Sequence, residues 1–177
     1  MNTTSTPDAA ILARRRQRLA ENRAHLEAPN VRAFLNAIAA AEGGGYDFRY
    51  GAVHGRRNDP WRFTDYSTHP GPGRGGRTTA AGMYQITRPP WREMGAKMGL
   101  TDFSPATQDL VAVEVLRTIG VLDDIVRGDV GAALDKASHR WAALSRGRGR
   151  AGRYPPQPSV SYEAFANRYR LEGGRLA

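Results

Sequence analysis

The chain has 177 residues, 40% hydrophobic and 24% charged, with no cysteine. That length is one domain's worth, able to bury a core without staples, and the composition excludes collagen-like, disordered and membrane-spanning classes. Disulfides, thiolate nucleophiles and cysteine-ligated zinc are excluded with the cysteines, while 26 basic against 17 acidic residues leave a net charge of +9.

Such an excess implies a polyanion nearby: nucleic acid, an anionic membrane surface or the acidic polymers of a bacterial envelope. Arginine supplies nearly all of it, since Lys97 and Lys136 are the only lysines. Two glycine-rich stretches read as basic loops. One runs from Arg49 to Arg77; the other, from His139 to Tyr154, carries Arg140, Arg146, Arg148, Arg150 and Arg153 and no acid. No apolar run approaches the ~20 residues of a membrane helix and the N-terminus has no signal-peptide core, so synthesis as a cytosolic product is expected.

Residues 1–29 predict a loose polar terminus and then a basic helical arm. From Asp8 to Glu27 there is no Gly or Pro, and Leu12, Leu19 and Leu26 recur every seven residues with Ile11 beside the first, a narrow apolar stripe on an Arg-rich helix. Two readings fit: an arm packed on the domain or a partner, and a basic helix lying on a membrane surface. Pro29 ends it. Asn30 is placed to cap a second helix with Val31, Phe34, Leu35 and Ile38 on one face, stopping at Glu42-Gly43-Gly44-Gly45.

Tyr46 to Tyr66 holds short aromatic and β-branched pieces broken by Gly and Pro, which predicts a small sheet. Pro70 to Gly76 reads as a flexible loop. Thr87 caps the next helix, with Trp91, Met94 and Met98 on one face; Ser104-Pro105 opens another through Ile119; Asp129 opens one through Leu144; Ser161 caps the last, closed by Gly173-Gly174. Residues 30–177 thus predict one α+β domain, mostly helical with a small antiparallel sheet, and no internal repeat.

No phosphate-binding loop, dinucleotide fingerprint or nucleophile elbow occurs, and the four histidines are scattered, so neither metal nor cofactor is expected. Glu42 stands out on physical grounds. It closes an otherwise apolar helical turn at the C-terminus, the wrong end of the dipole for an anion, and both burial and dipole favour the neutral acid. Glycosidic cleavage requires such a protonated carboxyl near neutral pH, because the leaving oxygen must receive a proton. Taken alone, a Glu before a glycine run is more often a solvated helix end. Asp65 reads as a second carboxylate or, more simply, as a turn-stabilising Asp beside Tyr66-Ser67.

Longer tracts carry a resemblance. Ala41-Glu42-Gly43, Gly45-Tyr46-Asp47, Phe63 to Pro70, Gly82 to Gln85, Gly99 to Pro105, Gln108-Asp109, Arg127-Gly128-Asp129 and Trp141 to Leu144 occur in the order of the lambda-type endolysins, lytic transglycosylases of the lysozyme superfamily. The chain resembles that family over most of Val31 to Gly174. It departs from it in the longer, more basic stretch Ser145 to Gln157, in the loop from Pro70 to Thr78, and in an arm without counterpart.

The resemblance implies a lysozyme-like fold with a glycan cleft and cleavage of the β-1,4 bond between N-acetylmuramic acid and N-acetylglucosamine in peptidoglycan. It implies that Glu42 is the catalytic acid, forming a 1,6-anhydro end without consuming water, and that Asp47, Tyr84, Gln85 and Tyr154 hold or orient the glycan. A hydrolytic muramidase pairing Glu42 with Asp47 or Asp65 is the nearer alternative; a non-catalytic nucleic-acid or envelope-binding module is the more distant one. Expected partners are peptidoglycan strands, with anionic envelope polymers or lipids at the Arg-rich loops and arm, no specific nucleic acid, and no second copy. The family's behaviour further implies host-cell lysis by a phage or prophage product, made in the host cytoplasm and reaching the periplasm or wall through a separate release route.

Overall fold

A computed structural model of the chain describes residues 7–177; the polar start expected for the terminus lies outside the described residues. Among those residues there are seven α-helices and one 3-10 turn: α1 (Pro7–Glu27), α2 (Pro29–Glu42), the turn Arg74–Gly76, α3 (Arg88–Ala96), α4 (Pro105–Thr118), α5 (Leu122–Arg127), α6 (Val130–Ala137) and α7 (Tyr162–Leu171). None of the helices is both long and apolar enough to cross a membrane.

The core forms around α2 and α4. Val31, Phe34, Leu35 and Ile38 give α2 its fully buried face, and Phe34 meets Phe165 edge-on at 5.0 Å and Tyr169 at 6.5 Å, which fastens α7 against it. α4 is buried along its length from Thr107 to Leu116, between α1, α2 and α3. A helix surrounded in this way reads as apolar all round, and Leu110 to Val113 with Val115 and Leu116 supply that character.

Caps set several boundaries. The hydroxyls of Ser104 and Ser161 and the carboxylate of Asp129 accept the backbone N–H of Thr107, Ala164 and Ala132, starting α4, α7 and α6 where the sequence predicts. Asn30 does not cap α2. Ala28 stands at that position with Pro29 in the first turn, and the Asn30 side chain instead donates to the carbonyl of Val126 and accepts from the N–H of Arg175, tying down the C-terminal segment. The helix expected from Asp129 to Leu144 ends at Ala137, and Leu122–Arg127 forms a helix the sequence reading does not place.

The expected sheet is corrected. Among the described residues there is no strand, only isolated bridges: in the expected sheet region Phe48 with Arg62, Arg49 with Ala81 and Ala81 with Ile86, all antiparallel, and further on Leu144 with Val160 and Ser145 with Gly152. Gly51, Gly55, Pro60 and Pro70 to Gly73 interrupt the segment, and Asn58 adopts φ +53°. No piece therefore runs far enough to extend a bridge into a ladder. The bridges still place this segment across the end of α2.

The arm is docked along one side. Leu19 and Leu26 pack on the core, whereas Leu12, the first residue of the same stripe, is 48% exposed. Beneath α1 the carboxylate of Glu114 is completely buried on α4, accepting two close hydrogen bonds from Arg18 (2.9 and 2.7 Å) and one from Asn22 (2.7 Å).

Candidate active site

α2 delivers Glu42 at its last helical position. Gly43 turns into the left-handed region (φ +64°) and the N–H groups of Gly43 and Gly44 close on the carbonyls of Ala40 and Ala39. Glycine at this position takes that conformation without the Cβ penalty. The next residue is glycine for a different reason. A Cβ on Gly44 would stand 2.0 Å from the carbonyl oxygen of Met83, so only a bare backbone lets the end of α2 seat on the turn Gly82 to Gln85.

Glu42 is half-buried and forms no ion pair among the described residues. Among the described residues its carboxylate accepts a long hydrogen bond, 3.3 Å, from the N–H of Ala143. Burial pushes the carboxyl up to about 7, the bond from Ala143 opposing this. The group is thus an acid about half protonated at neutral pH, with no cation beside it to hold it ionised.

A polar scaffold from α4 fixes the surroundings. Gln108, buried, accepts from the N–H of Met83 (2.8 Å) and donates to the carbonyls of Tyr46 and Phe103 (both 2.9 Å). Asp109 accepts from the hydroxyls of Tyr46 (2.8 Å) and Tyr84 (2.6 Å) and from Arg32 (2.8 Å). Burial and the Asp109 carboxylate together push the Tyr46 phenol up to about 12, keeping it a neutral donor. In the sequence these two residues carry no signal of their role beyond two polar side chains at the head of an apolar helix.

The expected cleft residues separate. Asp47 is bound to Arg62, whose Nε donates at 2.7 Å. Tyr84 is buried, 1% exposed, with its hydroxyl on Asp109 and its carbonyl accepting the indole N–H of Trp141. Gln85 stays half-exposed, with φ +48° in a tight turn and its amide donating to Gly82. Tyr154 is 44% exposed and its hydroxyl donates to the carbonyl of His139. Asp65 accepts the N–H of Ser67, the turn role.

His54, which the sequence does not single out, lies 2.9 Å from the Gly44 carbonyl. With Ala39, Ala40, Gly43 and Met83 it lines a hollow of about 420 Å³ at the end of α2. Another hollow, about 370 Å³, is lined by Arg49, Arg62 and Phe63 among others, beside Asp47. The basic loop folds back on the domain: Arg150 and Arg153 share Asp135, and Arg148 lies over the Tyr162 ring at 4.6 Å.

Comparison with known proteins gives this arrangement a family. The family model described as Endolysin matches residues 32–176. The endolysin of Escherichia phage P2 is 36% identical over 133 residues, 65% of this chain and 79% of its own length. That of Escherichia phage lambda is 36% identical over 129 residues, 64% of this chain and 75% of its own. Among solved structures, bacteriophage lambda lysozyme complexed with a chitohexasaccharide superposes with a TM-score of 0.71 at 29% identity, over 84% of this chain and 97% of that one. A second structure of that lysozyme gives 0.65 with the same identity and coverage. The fold is lysozyme-like, and the chain belongs to the endolysin family.

Proposed function

We propose that this protein degrades peptidoglycan, cutting the β-1,4 bond between N-acetylmuramic acid and N-acetylglucosamine without consuming water. The observation that carries the reading is Glu42: a half-buried carboxyl at a helix end, its pKa raised to about 7 by burial, followed in the chain by Gly43 and Gly44, which line an open hollow. Support for the substrate comes from the family and from the chitohexasaccharide, a related β-1,4 glycan, held by the lambda lysozyme.

The protonated Glu42 gives its proton to the glycosidic oxygen as that oxygen's bond to C1 of the muramic residue breaks. Positive charge develops at C1. The C6 hydroxyl of the same sugar then closes on C1, and its proton passes to the Glu42 carboxylate, which regenerates the acid. This route needs one carboxyl, whereas hydrolysis with a second carboxylate needs a partner placed across the bond. The two candidates for that partner are engaged elsewhere, Asp47 by Arg62 and Asp65 by its turn, which favours the single-acid route. Gln85 and Tyr154 remain the exposed candidates for contact with the glycan. Arg140 and Arg146 of the 139–154 stretch have no acidic partner among the described residues, Arg146 donating to the Ala151 carbonyl, and they suit retention on anionic wall polymers after release from the host cell.

Mass spectrometry of digested peptidoglycan tests the route. The expected products end in 1,6-anhydromuramic acid, and Glu42→Gln abolishes their formation. Reducing muramic ends would instead assign hydrolysis, and a Glu42→Gln protein that clears wall suspensions at the parent rate would remove Glu42 from the chemistry.

A further inference from the structure

A further hollow is remote from Glu42's surroundings. It has a volume of about 630 Å³ and lies where α1 crosses the region of α3 and α4. Its walls carry Arg14, Arg15 and Arg18 from α1, Lys97 after α3, and Arg117 from α4, with Ile11 at one end. The α1 residues stand at i, i+3, i+4 and i+7 from Ile11, so a single helix face supplies them.

The acids nearby do not neutralise this set. Glu21, which also lines the hollow, takes up Arg117; Glu114 beneath it takes up Arg18 and lies 3.7 Å from Lys97; Glu93 lies 3.9 Å from the same lysine. Arg14 and Arg15 have no acidic partner among the described residues. At the same end of α1, Ile11 and Leu12 are 46% and 48% exposed, although the later leucines of that helix are packed. α1 lies outside the residues matched by the family model, 32–176, whereas Lys97 and Arg117 lie within them.

An anionic pocket ligand alone would leave the two exposed apolar residues without a use, and an apolar partner would leave the two free guanidiniums. A phosphate-bearing headgroup joined to an acyl chain meets both. We propose that the groove between α1, α3 and α4 binds the headgroup of an anionic membrane lipid, with Arg14 and Arg15 on the phosphate and Ile11 and Leu12 at the acyl edge. The site is independent of glycan cleavage and would hold the enzyme at an envelope membrane beside the wall.

Sedimentation of the full chain with phosphatidylcholine vesicles, with and without phosphatidylglycerol, tests this. Binding is expected to require phosphatidylglycerol and to fall about tenfold or more in Arg14→Glu/Arg15→Glu, as expected for two cations at an anionic surface. The same variant is expected to keep the parent melting temperature and wall-clearing rate. Should it fail to fold, Arg14→Glu alone, at an exposed position, is expected to weaken vesicle binding about threefold or more. Arg146→Glu/Arg148→Glu, outside the walls of the groove, is expected to leave vesicle binding within about twofold of the parent, less than the loss of one cation held at the surface. Unchanged binding in the α1 variants, or loss in the loop variant in their place, would overturn the proposal. Release from vesicles by inorganic phosphate at constant ionic strength would overturn the lipid assignment in favour of a free phosphate.

Discussion

Glu42 occupies its position at a cost to stability, and the cost has a definite pH dependence. Its folded pKa of about 7 lies above the ordinary 4.5, so the folded state binds the proton more tightly than the unfolded state does. Below pH 4.5 the carboxyl is neutral in both states and nothing is lost. Between 4.5 and 7 stability falls as pH rises, and above 7 the loss is constant at up to about 3 kcal/mol. Glu42→Gln, neutral at every pH, is expected to be more stable than the parent by about 1–3 kcal/mol at pH 8 and indistinguishable from it at pH 4 by urea unfolding. A variant no more stable at pH 8 would mean that burial does not perturb the carboxyl. Tyr84 makes the opposite case. Its aromatic ring and hydroxyl suit a sugar platform and a core hydrogen bond equally in the sequence, and only the buried partner Asp109 decides between them. Tyr84→Phe is expected to cost about 1–2 kcal/mol of stability with KM for wall unchanged; a raised KM at unchanged stability would put that hydroxyl on the glycan.

At the scale of elements, the active region is the end of α2 pressed on the turn from Gly82 to Gln85, and the glycine pair after Glu42 separates two physical demands. Gly43→Ala meets open space and pays only for its left-handed backbone, about 1–2 kcal/mol. Gly44→Ala drives a Cβ into the Met83 carbonyl at 2.0 Å, which neither backbone can yield without moving Glu42. Wall-clearing activity is therefore expected to survive Gly43→Ala and to fall at least tenfold in Gly44→Ala, roughly the sensitivity of catalysis to a displacement of about 1 Å. Equal effects would show that the contact is slack. The glycine run was visible in the sequence and Gly43 serves a local cap, but the reason for Gly44 was not visible, because it depends on a turn some forty residues away. The same limit explains the elements. Helices opened by Ser104, Asp129 and Ser161 are local events that capping chemistry announces. The end of α6 at Ala137 goes with Trp141 donating its indole N–H to the distant Tyr84 carbonyl, and the bridges replacing the sheet depend on pairings between remote, glycine-broken pieces.

For the whole molecule, the net charge of +9 was legible at once, while its placement required the fold. Three arginines of the 139–154 stretch are already occupied by Asp135 or Tyr162, and the α1 groove gathers five cations that the linear sequence scatters over three helices. Besides Leu19 and Leu26, α1 is tied to the rest by the buried Glu114, an ordinary residue in an apolar-looking run. Burial resists its ionisation, but the hydrogen bonds from Arg18 and Asn22 prevail and hold its carboxyl below the usual range. The stability it contributes is therefore present above the ordinary carboxylate pKa and is lost as pH falls. Arg18→Met keeps the aliphatic stem but leaves that charge buried without its main partner, an expected loss of about 3 kcal/mol at pH 7. Below pH 4 Glu114 in the variant takes up a proton and the difference from the parent should shrink. Adding Glu114→Gln to Arg18→Met is expected to recover most of the loss at neutral pH, a coupling that a double-mutant cycle measures directly. If Arg18→Met costs the same at both pH values and the second change recovers nothing, the arm is held by Leu19 and Leu26 alone, and the Arg18–Glu114 pair is incidental to its docking.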